Sequence, residues 1–420
     1  MKFSTALGLV LALVITQAAW GQAGDVKSSY IKSTLGDVLA TIRNEYVYQV
    51  KDETLLAGAV KEMARVDASL AGKPCATWGA FEALFDSAYG RNPAAASPLG
   101  EAAIRGMVKS LGDPYSLFLS PKEWDYYRRV SSGESFAGIG VELAVKNGKL
   151  VITAPLEGSP AEKAGIRPGD LVVKVGGQSI EGKDYYEVLS MFDGLKGSAL
   201  LLSVRRGPKV LDFTIVRDNI RFDPVSAKLL GSKPPVGYIK IPYFGQSTDS
   251  EVRRALDRLA EKGVKAVIFD VRNNPGGDFG SSLRMASLFV KGKPLIKVQK
   301  KGGAPSDIYP EKGPSYQFRT VILINEGSAS ASEVFACALA QNGLATLVGT
   351  RSFGKALVQS VYSLPGNAAL KLTTSRYYTP RGDDILFKGL APSVAAESVY
   401  PVPPVTKDPV VLKGVEVLIR

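Results

Sequence analysis

Apolar positions in the first part of the chain recur at three- and four-residue spacing, most clearly over 31–46 and 53–66, which predicts amphipathic helices packed through one face. Further along the texture changes. VKAVIFDV (264–271) and LATLVG (344–349) are short, nearly continuous apolar runs bounded by turn residues, as expected for strands buried on both faces. Between them, ASEVFACALAQN (331–342) is a good helix former closed by Gly343, and 356–363 reads as another strand. Strands and helices alternate beyond residue 220, which implies an α/β core. The stretch 135–219 has its own pattern. A strand at 149–154, a helix start at 159–164, a Pro-Gly-Asp turn at 168–170 and a strand at 171–175 come first. A Gly-Gly turn at 176–177, a helix at 183–192 and a hairpin of 200–205 with 210–216 follow, predicting a small separate module.

These patterns divide the chain into 1–21, a secretory signal; 22–134, a helical region; 135–219, the small module; 220–399, the α/β core; and 400–420, a tail that is proline-rich over 400–406 and helix-like over 409–418. The signal assignment rests on Met1-Lys2, an apolar run to Trp20 and the small-x-small triplet Ala19-Trp20-Gly21, with cleavage expected near Gln22. The apolar run falls short of the roughly 20 residues a stable membrane span needs, although retention as an uncleaved anchor is the competing reading. Export to a periplasm or cell envelope is the expected localisation.

Composition removes several chemistries. The 420 residues include 52 Lys and Arg against 40 Asp and Glu, but the basic residues are spread without a dense tract, so no nucleic-acid partner is expected. The charge of +12 reads as a solvated surface suited to anionic envelope surfaces. With no histidine and two cysteines, a metal site has almost no ligands, and neither metal nor cofactor is expected. Cys75 and Cys337 are expected as buried free thiols. A Ser-His-Asp hydrolase is excluded outright.

A serine nucleophile in such a chain needs another base, and a neutral lysine is the chemical substitute. Ser330, in Gly-Ser-Ala-Ser-Ala-Ser-Glu (327–333), and Lys355, in Phe-Gly-Lys (353–355), are the candidates. The helix between them covers about 18 Å and the strand about 20 Å, so the chain is expected to return Lys355 to the level of Ser330. Gln359, four residues from Lys355, is expected on the same side. A free lysine has a pKa near 10.4, and work as a base near neutrality requires a fall of roughly 3, about 4 kcal/mol. Desolvation and the positive end of a helix dipole both act in that direction, and the Ala331 amide at the helix start is available to an oxyanion. Locally each residue has a plainer explanation. Ser330 with Glu333 is a capping-box pattern, and Lys355 alone is a surface charge. Gly349 to Lys355 also fits G-x-x-x-x-G-K, but Ala356 stands where a phosphate-binding loop carries its hydroxyl, and a strand follows instead of a helix. Ser29-Tyr-Ile-Lys32 matches S-x-x-K without companion motifs. The strand–loop–helix at 264–290 contains Asn-Asn-Pro-Gly-Gly (273–277), whose glycines serve either a tight turn or a second oxyanion donor.

The ordered set GMVKSLGDPY (106–115), FAGIGV (136–141), VGYIKI (236–241), DVRNNPGG (270–277), SASASE (328–333), the segment 349–355 and LTTSRYYTP (372–380) resembles the carboxyl-terminal processing peptidases, or tail-specific proteases, of peptidase family S41. The resemblance covers about 100–392. It implies a ClpP/crotonase-like α/β peptidase core with an inserted PDZ domain and an N-terminal helical region. It also implies Ser330 as nucleophile, Lys355 as general base, Gln359 as the residue orienting the lysine, and an oxyanion hole from Ala331 with Gly276 or Gly277. Ala356 and Leu357 depart from the family's small or hydroxyl residues, and 70–98 reads as an extra stretch.

The module 135–219 resembles a PDZ domain, with Gly138, Ile139, Gly140 and Val141 as the loop that holds a terminal carboxylate and the adjacent strand edge as acceptor of a peptide strand. The plainer reading of 138–140 is a tight turn, and a dinucleotide fingerprint is excluded by Leu143. The expected function is therefore a serine endopeptidase acting on protein or peptide C-termini. The alternative is a catalytically silent PDZ-bearing binding protein. Self-association through the N-terminal helices and an activating adaptor are further expectations of the resemblance, a packed helical cap being the other reading of those helices.

Overall fold

The computed structural model describes residues 24–420 except 133–135, 147–148, 157, 168, 184, 221–224, 232, 312, 314 and 400–402. The expected secretory signal, 1–21, thus lies outside the described residues, as does Pro168 of the expected turn. The described residues form two compact units, one comprising 24–121 with 361–372, the other 122–360 with 373–420.

In the first unit, helices Gly24–Glu45, Asp52–Met63, Trp78–Arg91 and Ala96–Lys109 enclose a core of Leu35, Ile42, Leu56, Phe81, Phe85 and Met107. Two of these helices touch backbone to backbone. A Cβ on Gly106 would lie 2.2 Å from the Gly58 carbonyl oxygen, so only glycine allows the crossing of Asp52–Met63 and Ala96–Lys109. The Gly106-Met-Val motif thereby gains a packing reason. Much of the extra stretch at 70–98 is helix Trp78–Arg91, capped by the Thr77 hydroxyl and burying Phe81 and Phe85. Lys32 of the S-x-x-K match ion-pairs with Asp86 on that helix at 2.8 Å.

The second unit contains two sheets that concern function. In the first, strands Val141–Lys146, Lys149–Pro155, Leu171–Val175, Ala199–Arg206 and Lys209–Val216 lie in that order, with helices Pro160–Lys163 and Tyr185–Phe192. This module has its own core, including Ile152, Val175, Val188, Leu202 and Ile215. Strand Val141–Lys146 ends the sheet order, so it is an edge.

The second sheet runs Ser226–Leu230, Val236–Lys240, Ala266–Asp270, Arg319–Ile324, Ala345–Gly349, Val394–Ala395, and all neighbours after the first pair are parallel. Side chains alternate between its faces. Val267, Phe269, Ile322 and Ile324 pack with Val252 of helix Thr248–Glu261, Met285 of Phe279–Ala286 and Phe335 of Ala331–Gln341. Ile268, Val321 and Leu323 pack with Val410, Val411 and Leu418 of helix Pro409–Ile419. Helices therefore cover both faces, which is why these strands read as continuous apolar runs instead of alternating ones. The α/β core, the PDZ-type module and the N-terminal helices expected from the sequence are all present.

Candidate active site

Three segments singled out from the sequence leave the carboxyl ends of three adjacent parallel strands, the edge at which open α/β sheets place ligands. Strand Arg319–Ile324 leads to Ser330; its neighbour Ala266–Asp270 leads to the glycine loop; its other neighbour, Ala345–Gly349, leads to Lys355. The serine strand is in the middle.

Ser330 has φ 54° and ψ −116°, a conformation disfavoured for any residue with a Cβ. It costs about 1–3 kcal/mol, is characteristic of a nucleophile held on a sharp strand-to-helix turn, and persists because the surroundings fix it. Helix Ala331–Gln341 starts directly after it.

What fixes the turn is a carboxylate. Glu333 is 1% exposed. Its Oε2 accepts from the Ser330 amide at 3.0 Å and the Lys355 amide at 2.8 Å, while Oε1 accepts from the Gly354 amide at 2.7 Å and the Ser352 hydroxyl at 2.5 Å. Two amides on one oxygen atom lie no further apart than about 6 Å, so the Ser330 and Lys355 backbones are neighbours. Burial pushes the Glu333 carboxyl above its usual range, opposed by the hydrogen bonds from Ser352, Lys355, Gly354 and Ser330. Since the Ser352 hydroxyl accepts from the Leu390 amide at 2.6 Å, its own proton is directed to Glu333, and only an ionised carboxylate satisfies all four donors. The expected capping pattern thus contributes its glutamate to a larger clamp.

A second clamp closes the other side. The hydroxyl of fully buried Tyr377 lies 2.7 Å from the Lys355 carbonyl oxygen and 3.1 Å from that of Ser330. Neither Glu333, beyond its cap, nor Tyr377 was assigned from sequence. The only signals were Ser-x-x-Glu itself and the place of Tyr377 within LTTSRYYTP. Lys355 is half-buried, and strand Leu357–Leu364 follows it, as strand and not helix. Gln359 lies on that strand, its side-chain amide donating to the Thr373 hydroxyl at 3.2 Å.

The glycine loop is bound to the serine turn through Asn274, another residue that sequence left unassigned. The Asn274 carbonyl accepts from the Ala329 amide and the Ser332 hydroxyl, each at 3.0 Å, and its side chain donates to the Ile241 carbonyl at 2.7 Å. Gly276 approaches so closely that a Cβ there would lie 2.8 Å from Ser330 Cβ and 3.0 Å from the Ala331 nitrogen. The Gly276 amide donates to Asn274 Oδ1 at 2.9 Å, and its carbonyl accepts from the Phe244 amide at 2.8 Å. Across the trans peptide the Gly277 N–H points opposite to that carbonyl, away from Phe244.

Behind this loop, Arg272 bonds Asp270 at 2.6 Å and Asp408 at 2.9 Å. Asp408 also caps helix Pro409–Ile419 through the Val410 amide at 2.9 Å and the Val411 amide at 3.3 Å, and Tyr238 donates to Asp270 at 2.7 Å. Burial alone disfavours the Asp270 carboxylate, yet Arg272, with Lys240 and Tyr238, holds its carboxyl below the usual range.

In the small module, the Ile139 carbonyl accepts from the Ala161 amide at 2.8 Å and the Gly140 carbonyl from the Leu156 amide at 3.0 Å. Those carbonyls face inward, so the next amides, of Gly140 and Val141, face the opposite way. Gly140 has φ 72°, and a Cβ on it would lie 2.5 Å from Ser159 Cβ. Beside this loop is a cavity of about 30 Å³ whose lining includes Gly138, Ile139, Gly140 and Val141.

Cys75 and Cys337 are both buried free thiols. Among the described residues no cluster of three metal-binding side chains occurs, and no helix is long and apolar enough to cross a membrane.

Residues 235–396 match the model of peptidase family S41 and residues 151–206 that of a PDZ domain. The carboxy-terminal processing protease CtpA of Bacillus subtilis (strain 168) is 37% identical over 301 residues, which is 71% of this chain and 64% of that protein. A probable CtpA-like serine protease of Staphylococcus aureus (strain N315) is 38% identical over 305 residues, 71% of this chain and 60% of that protein. The matched stretch therefore spans less than two thirds of either relative. Among solved structures, a photosystem II D1 C-terminal processing protease superposes with a TM-score of 0.70 at 27% identity, covering 92% of this chain and 97% of that one.

Proposed function

The chain belongs to peptidase family S41, and from that membership we propose that it is a serine endopeptidase that cuts proteins near their C-termini, with Ser330 as nucleophile and Lys355 as base. The observation that carries this reading is the single Glu333 oxygen shared by the Ser330 and Lys355 amides, which holds the backbones of the two candidate residues side by side.

In the first step neutral Lys355 Nζ takes the proton of Ser330 Oγ as Oγ attacks the scissile carbonyl. The negative charge that develops on the carbonyl oxygen is met by the Ala331 amide at the helix start and by a glycine-loop amide. We assign the second donor to Gly277, because the Gly276 amide is already given to Asn274. As the tetrahedral intermediate collapses, the lysine ammonium gives its proton to the leaving amine, leaving an acyl-serine. Water then attacks the ester with Lys355 again as base, releasing the carboxylate product and restoring the serine hydroxyl. Gln359 keeps its proposed part in orienting the lysine from strand Leu357–Leu364.

The PDZ domain captures the substrate tail. Its terminal carboxylate meets the outward amides of Gly140 and Val141, and the preceding residues add a strand to the Val141–Lys146 edge. The setting is the cell envelope, after export. The deciding experiment incubates the protein, Ser330→Ala and Lys355→Ala with peptides carrying apolar C-termini. Both variants are expected to lose cleavage while remaining folded. Equal product from Ser330→Ala overturns the assignment and leaves the silent binding protein; full cleavage by Lys355→Ala removes lysine as the base.

A further inference from the structure

Helix Pro121–Ser132 precedes the PDZ domain in sequence, yet its Tyr126 lines the same cavity as the carboxylate loop. The other walls are Leu143 of the edge strand, Leu189 and Phe192 of helix Tyr185–Phe192, and Ile220. These are the walls against which the last side chain of an added strand would rest. Tyr126 is 7% exposed, so its side chain is packed into the fold at this wall and bounds the free space there. The helix is also tethered in place: Arg129 bonds Asp193, the residue directly after helix Tyr185–Phe192, at 2.6 Å, and Asp125 of its own helix at 3.0 Å. The remaining cavity, about 30 Å³, has room for a methyl group and little more. An aromatic ring, by comparison, occupies an engineered cavity of about 150 Å³.

We infer that Tyr126 determines which C-terminal residue the PDZ pocket accepts, restricting it to an alanine-sized side chain. The inference rests on the tail-binding role proposed above and refines it. The residue that sets the pocket's size comes from the helix ahead of the PDZ domain, so tail selection depends on that helix as well as on the domain itself.

The test titrates labelled peptides that differ only in their last residue, Ala, Val, Leu or Phe, into the full chain carrying Ser330→Ala so that none is cut. The alanine tail is expected to bind at least about 10-fold tighter than the leucine and phenylalanine tails, a discrimination of the size that steric misfit in an apolar pocket gives. Adding Tyr126→Ala is expected to strengthen the leucine tail by about 10-fold while the alanine tail changes by less than about 3-fold, and Tyr126→Phe should keep the original ranking. Should Tyr126→Ala fail to fold, Tyr126→Leu carries the same expectation for the valine and leucine tails. An unchanged ranking after the ring is removed, or leucine and phenylalanine tails already binding as well as alanine, overturns the inference. An alanine tail with an amidated C-terminus separates the two levels. Binding that ignores amidation defeats the tail-binding reading itself. Carboxylate-dependent binding whose ranking does not respond to Tyr126 defeats only the role of that residue.

Discussion

Replacing Glu333 by glutamine changes one oxygen to an NH2 group and leaves the shape of the side chain intact. Each oxygen of Glu333 accepts two donors, Ser330 and Lys355 amides on one, the Gly354 amide and Ser352 hydroxyl on the other. Whichever way the amide turns, two donors meet hydrogens instead of lone pairs. Hydrogen bonds to a charged acceptor contribute about 1.5–3 kcal/mol each, so the gross loss is about 3–6 kcal/mol. A neutral side chain is cheaper to bury, which offsets part of this and leaves a net cost of about 2–4 kcal/mol. The consequence for catalysis is larger than the stability cost, because the same oxygen aligns the serine and lysine backbones. A displacement of about 1 Å at such a pair costs about 100-fold in rate. Urea unfolding of Glu333→Gln, together with steady-state cleavage of a tail peptide, measures both effects; kcat should fall while KM stays near its original value, since Glu333 touches no substrate. The pH dependence adds a check. Burial raises the folded-state pKa of Glu333 against the pull of its four donors, so the part of stability linked to its titration is complete below the unfolded carboxyl pKa of about 4.3 and declines as pH rises through the raised folded value, leaving the hydrogen bonds to the ionised clamp. That downward slope should disappear in Glu333→Gln. A variant that unfolds within about 0.5 kcal/mol of the original, the range of an ordinary surface substitution, and cleaves at the original rate refutes the clamp.

Other positions give further outcomes. Gly276→Ala should reduce cleavage by at least about 100-fold and also lower stability, since its Cβ would press on Ser330 Cβ at 2.8 Å and on the Ala329 carbonyl oxygen at 2.9 Å from a backbone at φ 107°; normal activity would remove the close approach as a requirement. Gly106→Ala should destabilise the N-terminal unit by about 3 kcal/mol or more, whereas Gly90→Ala, with open space around its Cβ, should stabilise its helix by about 0.5–1 kcal/mol; equal thermal shifts would contradict the crossing argument. Asp408→Ala should cost about 3 kcal/mol in urea unfolding, because it removes both the helix cap and one partner of buried Arg272. Asp270, held below the usual carboxyl range, contributes stability above about pH 4 that is lost as pH falls through its folded pKa, so Asp270→Asn should flatten the acid limb of the stability profile.

Much of this was legible in one dimension, for a physical reason. The apolar runs at 264–271 and 344–349 identify strands because burial on both faces leaves no place for polar residues, and the structure places strands Ala266–Asp270 and Ala345–Gly349 there. The absence of histidine left lysine as the candidate base for a serine, and the helix-forming run after Ser330 put that serine at a helix N-terminus. The turn and strand pattern of 135–219 marked a separate module, and Gly138 to Val141 carried its resemblance to a PDZ domain.

Tertiary structure alone decided adjacency. A burial pattern records how each residue meets its own surroundings, not which strand lies beside which, so nothing local says that the serine strand sits between the glycine-loop strand and the lysine strand. The same holds for the atoms that lock the site. Glu333 reads as a helix cap until the loop at 352–355 arrives from 19 to 22 residues away to share its oxygens. Tyr377 reads as a strand residue until its hydroxyl reaches the carbonyls of Ser330 and Lys355. Tyr126, on a helix ahead of the PDZ domain, has no visible link to the carboxylate loop until the fold places it on the wall of the same cavity. Periodic burial writes secondary structure into the sequence; the contacts that turn those elements into a site are set by strand order and side-chain reach, which exist only in three dimensions.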